Sequence, residues 1–238
     1  MEKKILYFSY YYIYMELEFT TTACNRPEIL EKTYKSFTTN LKDINFNKST
    51  LYINIDPSPD NNNITKNIEI AKKYFGKVIY NLPKESNFAE AILWCFNQVK
   101  GEFFFHLEDD WILLREINID NMIKLIKNEK LQCILNKKNI HELYEPSFIP
   151  SLFYTKIIKI YINLMNNKLN PECQMKEIFR SNLYDIQKYK SIPYLPGYEL
   201  SRDIGRNWLL QNGLERDYDK NRKDYHKEWT PWTTWKKI

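Results

Sequence analysis

At 238 residues the chain suits one large α/β domain, or a domain with a small appendage. Hydrophobic residues make up 43% and charged residues 27%, which supplies a core and excludes wholesale disorder. The net charge of +5 is mild: it suits an anionic small substrate or a peripheral contact with an anionic membrane, and gives no reason to expect nucleic acid.

Lys3-Lys4 precede an apolar, tyrosine-rich run from Ile5 to Met15. The run is too short to span a bilayer and lacks the small-residue cleavage site of a signal peptide. An extra strand, an interfacial anchor and an extension upstream of a start at Met15 all fit it. The last is favoured, which sets residues 1–16 apart from a single domain over 17–238. The β-rich stretch Leu17 to Thr22 reads as a strand. Pro27 opens a helix, with Glu28 and Glu31 at its positive end and Leu30, Tyr34, Phe37 and Leu41 as its buried stripe. Thr50 to Ile55 alternates and ends at Asp56-Pro57, a strand and a turn. Ile64, Ile68, Ala71 and Phe75 mark a second helix, and Lys77 to Leu82 a short strand. Asn87 with Glu90 resembles a capping box before the apolar face of Phe88, Ile92, Cys95 and Val99. Glu102 to Leu107 is an apolar strand that runs into Glu108-Asp109-Asp110.

Strands and helices thus alternate, which predicts a mostly parallel, Rossmann-type sheet with helices on both faces. Ligands of such sheets bind beyond the carboxyl ends of the strands, where Arg26, Asp56 and the acidic triplet all fall. The second half is less regular. Helices are expected over Ile117 to Ile126, Ser151 to Asn166, from Asn170-Pro171-Glu172, and over Leu200 to Asn212 as far as Gly213, with a strand at Leu131 to Leu135. The charged tail carries Trp229, Trp232 and Trp235, which fit core closure better than sugar stacking.

The 5 glycines form neither a P-loop nor a dinucleotide fingerprint. Cys24, Cys95, Cys133 and Cys173 have no zinc spacing and read as reduced thiols of a cytoplasmic protein. The acidic triplet is the strongest chemical feature. Adjacent carboxylates repel unless a cation sits among them, and oxygen ligands at this spacing suit Mg²⁺ or Mn²⁺. Strand alternation would send Glu108 and Asp110 to one side and Asp109 to the other. A solvated acidic turn is the alternative for the triplet taken alone.

The stretch from Phe103 to Trp111, with its Glu-Asp-Asp, resembles the metal-binding strand of GT-A-fold glycosyltransferases of the family 2 type. Thr20 to Pro27 resembles the first strand and loop of that group, Ile53 to Asp56 its second strand with a terminal acid, and Asn87 to Ala91 the helix before its DxD strand. The resemblance covers residues 17 to about 115, in the right order. It implies a nucleotide-sugar-binding half over 17–115 and a helix-rich acceptor half over 116–238. It further implies a metal-dependent, hexosyltransferase-like enzyme that adds one sugar from a nucleotide-sugar, UDP-linked by default, to a hydroxyl of a glycan, lipid-linked sugar or protein. Under it Asp56 meets the base or ribose, and Arg26 lies near the nucleotide or its phosphates. Asp110 holds Mn²⁺ or Mg²⁺ with Asp109 as a second metal candidate, Asp109 and Glu108 meet the ribose or metal-bound water, and Asn87 is a helix cap that could also touch the donor. His226 is a candidate late metal ligand. An inverting enzyme also needs a carboxylate base, for which Glu172 is the first candidate and Glu199 and Asp203 the next. His106 shares parity with Glu108 and reads as a satisfied core histidine. The Gln-x-x-Arg-Trp signature of processive synthases is absent. Two other classes stay open: a nucleotidyltransferase on a related fold, which would normally carry a glycine-rich first loop, and a non-catalytic nucleotide- or carbohydrate-binding module.

Overall fold

A computed structural model describes residues 15–57, 63–127, 130–135, 145–181, 183–216 and 235–237. The first half follows the alternating pattern. Strand β1 (Glu18–Cys24) leads through α1 (Pro27–Asn40) and the short β2 (Leu41–Lys42) to β3 (Thr50–Asp56). Then come α2 (Ile64–Tyr74), β4 (Lys77–Asn81), α3 (Phe88–Gln98) and β5 (Phe103–Glu108). Asn87 caps α3 as expected, its side chain accepting from the Glu90 amide at 3.1 Å. The return half of the capping box is replaced: the Glu90 carboxylate accepts instead from Asn167 at 2.8 Å.

The second half is cut more finely than its periodicity predicts. It comprises β6 (Trp111–Leu113), β7 (Ile117–Asn118), α4 (Ile119–Ile126), β8 (Gln132–Ile134), β9 (Ser151–Tyr154), α5 (Thr155–Leu164) and α6 (Pro171–Arg180). A 3₁₀ helix (Leu183–Lys188), β10 (Ser191–Pro193), β11 (Ser201–Asp203), α7 (Gly205–Gln211), β12 (Leu214–Arg216) and β13 (Trp235–Lys237) follow among the described residues. Ser151 to Asn166 is therefore not one helix, because its first four residues pair antiparallel with β5. The same holds for Leu200 to Asn212: Ser201–Asp203 pairs antiparallel with β6 before the chain turns into α7. Gly213 ends α7 with φ 61°, the left-handed value that glycine tolerates.

The main sheet has seven strands in the order β10-β8-β9-β5-β1-β3-β4, and among these β9 alone runs antiparallel to its neighbours. Successive side chains of a strand face opposite layers, so β5 is apolar on both faces over Phe103–Phe105 and again at Leu107. Phe103, Phe105 and Leu107 join a core with Leu30, Tyr34 and Phe37 of α1, Ile70 of α2 and Met122 of α4. Phe104 meets the opposite core of Ile92 and Phe96 on α3, Ile158 and Tyr161 on α5, and Met175 on α6. His106 lies on this second side, fully buried, against Phe96, Phe148 and Phe153, with Nδ1 2.9 Å from Thr20 Oγ1. Burial pushes its pKa down to about 3, so the ring is neutral and structural. Helices thus cover both faces, as the alternation predicts. β1 lies between β3 and β5, so the chain leaves it first to one side and later fills the other. The carboxyl end of β1 is a topological switch point, where a parallel sheet opens a crevice.

Candidate active site

Three strand ends converge at that switch point. β1 ends at Cys24, in register with Asp56 at the end of β3, and Thr22 is in register with Glu108 at the end of β5. Beyond Glu108 the chain turns, so the strict alternation expected of Glu108, Asp109 and Asp110 stops at the first of them. Asp109 and Asp110 consequently reach the same cation. Arg26 Nη2 lies 2.6 Å from Asp109 Oδ1 and 3.1 Å from Asp110 Oδ2.

This Arg26 is only 2% exposed, and Asp109 and Asp110 are 3% and 5% exposed. Its second bond, from Nε to Asp109 Oδ2 at 3.3 Å, makes the pair bidentate. The turn is tied down on all sides. The Asp109 amide donates to Thr22 O at 3.2 Å, Thr33 Oγ1 of α1 donates to Asp109 O at 2.6 Å, and the Cys24 amide donates to Asp109 Oδ2 at 3.0 Å. Burial works against the Arg26 cation, but Asp109 and Asp110 outweigh it and hold the guanidinium pKa above its ordinary value. Burial likewise pushes the Asp109 carboxyl up, and Arg26 pulls it back. Two carboxylates against one guanidinium leave the trio one negative charge.

A second layer covers the trio. The β6–β11 pairing sets Asp203 opposite Trp111, directly after the acidic turn. The Ile204 amide donates to Asp110 O at 2.8 Å, and Trp208 lies 5.6 Å from the Arg26 guanidinium. Gly205 packs so closely that a Cβ there would sit 2.1 Å from Asp110 Oδ2. Asp203 Oδ1 accepts the Gly205 amide at 2.8 Å, and Arg206 stands 3.8 Å from Oδ2. Trp111 Nε1 donates to Glu108 Oε2 at 3.0 Å. Asp56 lies at the neighbouring strand end, with Oδ1 accepting from Asn54 at 2.7 Å. Burial first, and then the nearby Asp109 and Glu90 charges, push its pKa up to about 7 against the Asn54 bond.

The other predicted residues are engaged by partners outside this trio. Glu172, in the first turn of α6, pairs with Ser147 Oγ at 3.1 Å and Lys176 at 3.2 Å. Glu199 is exposed and forked onto Arg202 by two bonds of 2.8 Å, which lower its pKa. Asn87 caps α3 and donates to Asn167 O at 3.1 Å. His226, Trp229 and Trp232 lie outside the described residues, as does the Trp235 side chain. Sequence reasoning placed Arg26 in the site but not between the acids, and it had no signal for Gly205 or Trp208. All four cysteines are free thiols.

Among the described residues no three His, Cys, Asp or Glu side chains converge as a ready-made metal cage. Asp109 spends its oxygens on Arg26 and the Cys24 amide. What remains fits a hard ion held by one carboxylate, Asp110, and completed by water and phosphate oxygens, a common pattern for Mg²⁺. No helix among the described residues is long and apolar enough to cross a membrane.

No family model and no curated protein sequence matches the chain. Solved structures do match it in fold. The mannosyltransferase PcManGT from Pyrobaculum calidifontis, in complex with GDP-Man and Mn²⁺, aligns with TM-score 0.57 and 10% identity over 75% of this chain and 55% of its own. S. aureus TarS in complex with UDP aligns with TM-score 0.53 and 11% identity over 79% of this chain and 60% of its own. A cytidylyltransferase from Leptospira borgpetersenii aligns with TM-score 0.51 and 14% identity, over 84% and 86%. The chain therefore spans a little over half the length of the PcManGT and TarS structures. Its seven-stranded sheet, with helices on both faces, is the GT-A-type fold.

Proposed function

We propose that the protein is a glycosyltransferase that moves a single sugar from a nucleotide-sugar to an acceptor hydroxyl. The observation that carries this reading is the convergence of Arg26, Asp56, Asp109 and Asp110 at the switch point of a GT-A-type sheet. Asp56 takes the base or ribose of the donor, and Glu108, oriented by Trp111, takes a ribose hydroxyl. Asp109 anchors Arg26, which sets the charge beneath the diphosphate. Asp110 is the protein ligand for Mn²⁺ or Mg²⁺, which would stabilise the charge that builds on the leaving diphosphate. His226 remains a candidate further ligand. Residues 17–115 then bind the donor and residues 116–238 the acceptor.

Of the three candidate bases, Asp203 is favoured, because strand pairing brings its backbone beside the acidic turn. In an inverting reaction it would take the proton of the acceptor hydroxyl as that oxygen attacks the anomeric carbon and the bond to the diphosphate breaks. Glu172 follows, then Glu199, whose carboxylate is engaged by Arg202. UDP and GDP donors are both supported as starting points by what the matched structures hold. The acceptor is a glycan, a lipid-linked sugar or a protein side chain.

Nucleotidyl transfer is the second reading, favoured by the match that covers 86% of the cytidylyltransferase. Against it, Thr20 to Arg26 contains no glycine to admit a triphosphate to the backbone. Calorimetry with UDP and GDP, with and without Mn²⁺, followed by a panel of nucleotide-sugars and nucleoside triphosphates, separates the readings. Nucleoside diphosphate release from a sugar donor supports glycosyl transfer. Pyrophosphate release from a triphosphate supports nucleotidyl transfer, and binding without turnover supports a binding module.

A further inference from the structure

A relay of amides crosses the carboxyl ends of β3 and β4. Asn81 Nδ2 donates to Asn54 Oδ1 at 2.7 Å, and Asn54 Nδ2 donates to Asp56 Oδ1 at 2.7 Å. The two asparagines are in register on adjacent parallel strands, and Asn54 is 1% exposed. An amide side chain has one accepting and one donating end. Because Asn81 occupies the accepting end of Asn54, the donating end is turned to Asp56.

That orientation matters because Asp56 is held between opposing influences. Burial, Asp109 at the end of β5 and Glu90 on α3 all favour the neutral acid, and the Asn54 donor opposes them. The other titratable groups facing Asp56 are the thiols of Cys24 on β1 and Cys95 on α3, both neutral because burial pushes them up. Asn54 is therefore the side chain that favours a charged, accepting Asp56. Tyr52, which shares that face of β3 two residues earlier, packs in the apolar core on the same side.

We propose that Asn54 and Asn81 are positioning residues that hold the Asp56 carboxylate as acceptor for the ring N–H of a uracil or guanine base, and so select the donor nucleotide. This rests on reading the crevice as a nucleotide-sugar site. Uracil and guanine carry a hydrogen on the ring nitrogen beside their exocyclic carbonyl. Cytosine and adenine present a bare lone pair at the corresponding nitrogen, which a carboxylate repels, so selectivity comes partly from rejection.

The test titrates UDP, GDP, CDP and ADP into the parent chain, Asn54→Leu and Asn81→Ala across neutral pH, and follows the Asp56 carboxyl by carbon NMR without nucleotide. The parent is expected to prefer UDP or GDP by about tenfold or more, a margin of about 1.4 kcal/mol. Its affinity should rise as pH climbs through about 7. In Asn54→Leu the Asp56 midpoint should move up by about one unit, weakening binding about tenfold below neutrality and sparing it in alkali. Asn81→Ala should shift the same way by less, and it carries the test alone if Asn54→Leu does not fold. An unchanged midpoint, or a loss equal at every pH, would overturn the relay even if nucleotide binds. Equal affinity for all four bases would overturn the selectivity. A shifted midpoint in a parent that binds no nucleoside diphosphate would instead sink the nucleotide-sugar reading, and the base-selecting role with it.

Discussion

Arg26 is a cation at 2% exposure, and the two carboxylates that hold it are almost as deeply placed. Removing the one cation from such a set leaves two uncompensated buried carboxylates, which costs far more than the set itself contributes. Arg26→Met should therefore destabilise the fold by about 3–5 kcal/mol, read by urea denaturation. Arg26→Lys should recover only part of this, because an ammonium cannot reproduce the bidentate fork. Asp56 behaves oppositely. Its pKa in the folded state, about 7, lies above its unfolded value, so its stability contribution is fully present in acid and is lost as pH rises through about 7. Asp56→Asn should consequently gain about 2 kcal/mol over the parent at pH 8, after allowance for screening at the crevice, and close to nothing at pH 4. Thermal melts at the two pH values check the sign. The same variant should lose UDP binding, a trade of stability for function that marks a site residue.

At the scale of elements, the segment from β11 through α7 lies over the acidic turn, and Gly205 is its point of closest approach. Helix propensity alone predicts that Gly205→Ala stabilises α7 by up to about 1 kcal/mol. The contact predicts the reverse, because a methyl 2.1 Å from Asp110 Oδ2 must displace the carboxylate. A loss of about 1–3 kcal/mol is expected, with a larger fractional loss of metal-dependent donor affinity, measured by melting and by Mn²⁺ titration. None of this closeness was legible in the sequence. Leu200 to Asn212 has a helical stripe, and nothing within it signals that Ser201–Asp203 will pair with β6. Ser151–Tyr154 is hidden in the same way ahead of α5. Strands of three or four residues are specified by their partners rather than by a period of their own. In contrast, Asn87 before α3 and Pro171 at the start of α6 marked their helices correctly, because capping is local chemistry.

Across the whole molecule, the first half was legible because its hydrophobic period switches cleanly between strand and helix, and the alternation then dictates a parallel sheet. That sheet brings Arg26, Asp56 and the acidic turn together although more than 80 residues separate the first from the last. The internal charge balance of the site was not legible: Arg26 reads equally well as a surface residue until the end of β5 frees Asp109 and Asp110 to reach it together. Asp203, whose backbone pairs with Trp111 next to the acidic turn, ranks below Glu172 in the sequence because its neighbourhood is made by strand pairing, whereas Glu172 carries a local helix-start signal. Asp203→Asn should leave donor affinity unchanged and lower sugar transfer by about a hundredfold or more. Unchanged transfer would return the base to Glu172 or Glu199.

The most direct test of the account measures donor binding and nucleoside diphosphate release with Mn²⁺ in the parent chain and in Asp110→Asn, over UDP- and GDP-linked sugars. The parent should bind and turn over at least one donor in a metal-dependent way, and Asp110→Asn should keep its melting transition while losing both. Donor binding and turnover in Asp110→Asn equal to the parent, or pyrophosphate release from a nucleoside triphosphate in place of sugar transfer, would contradict it.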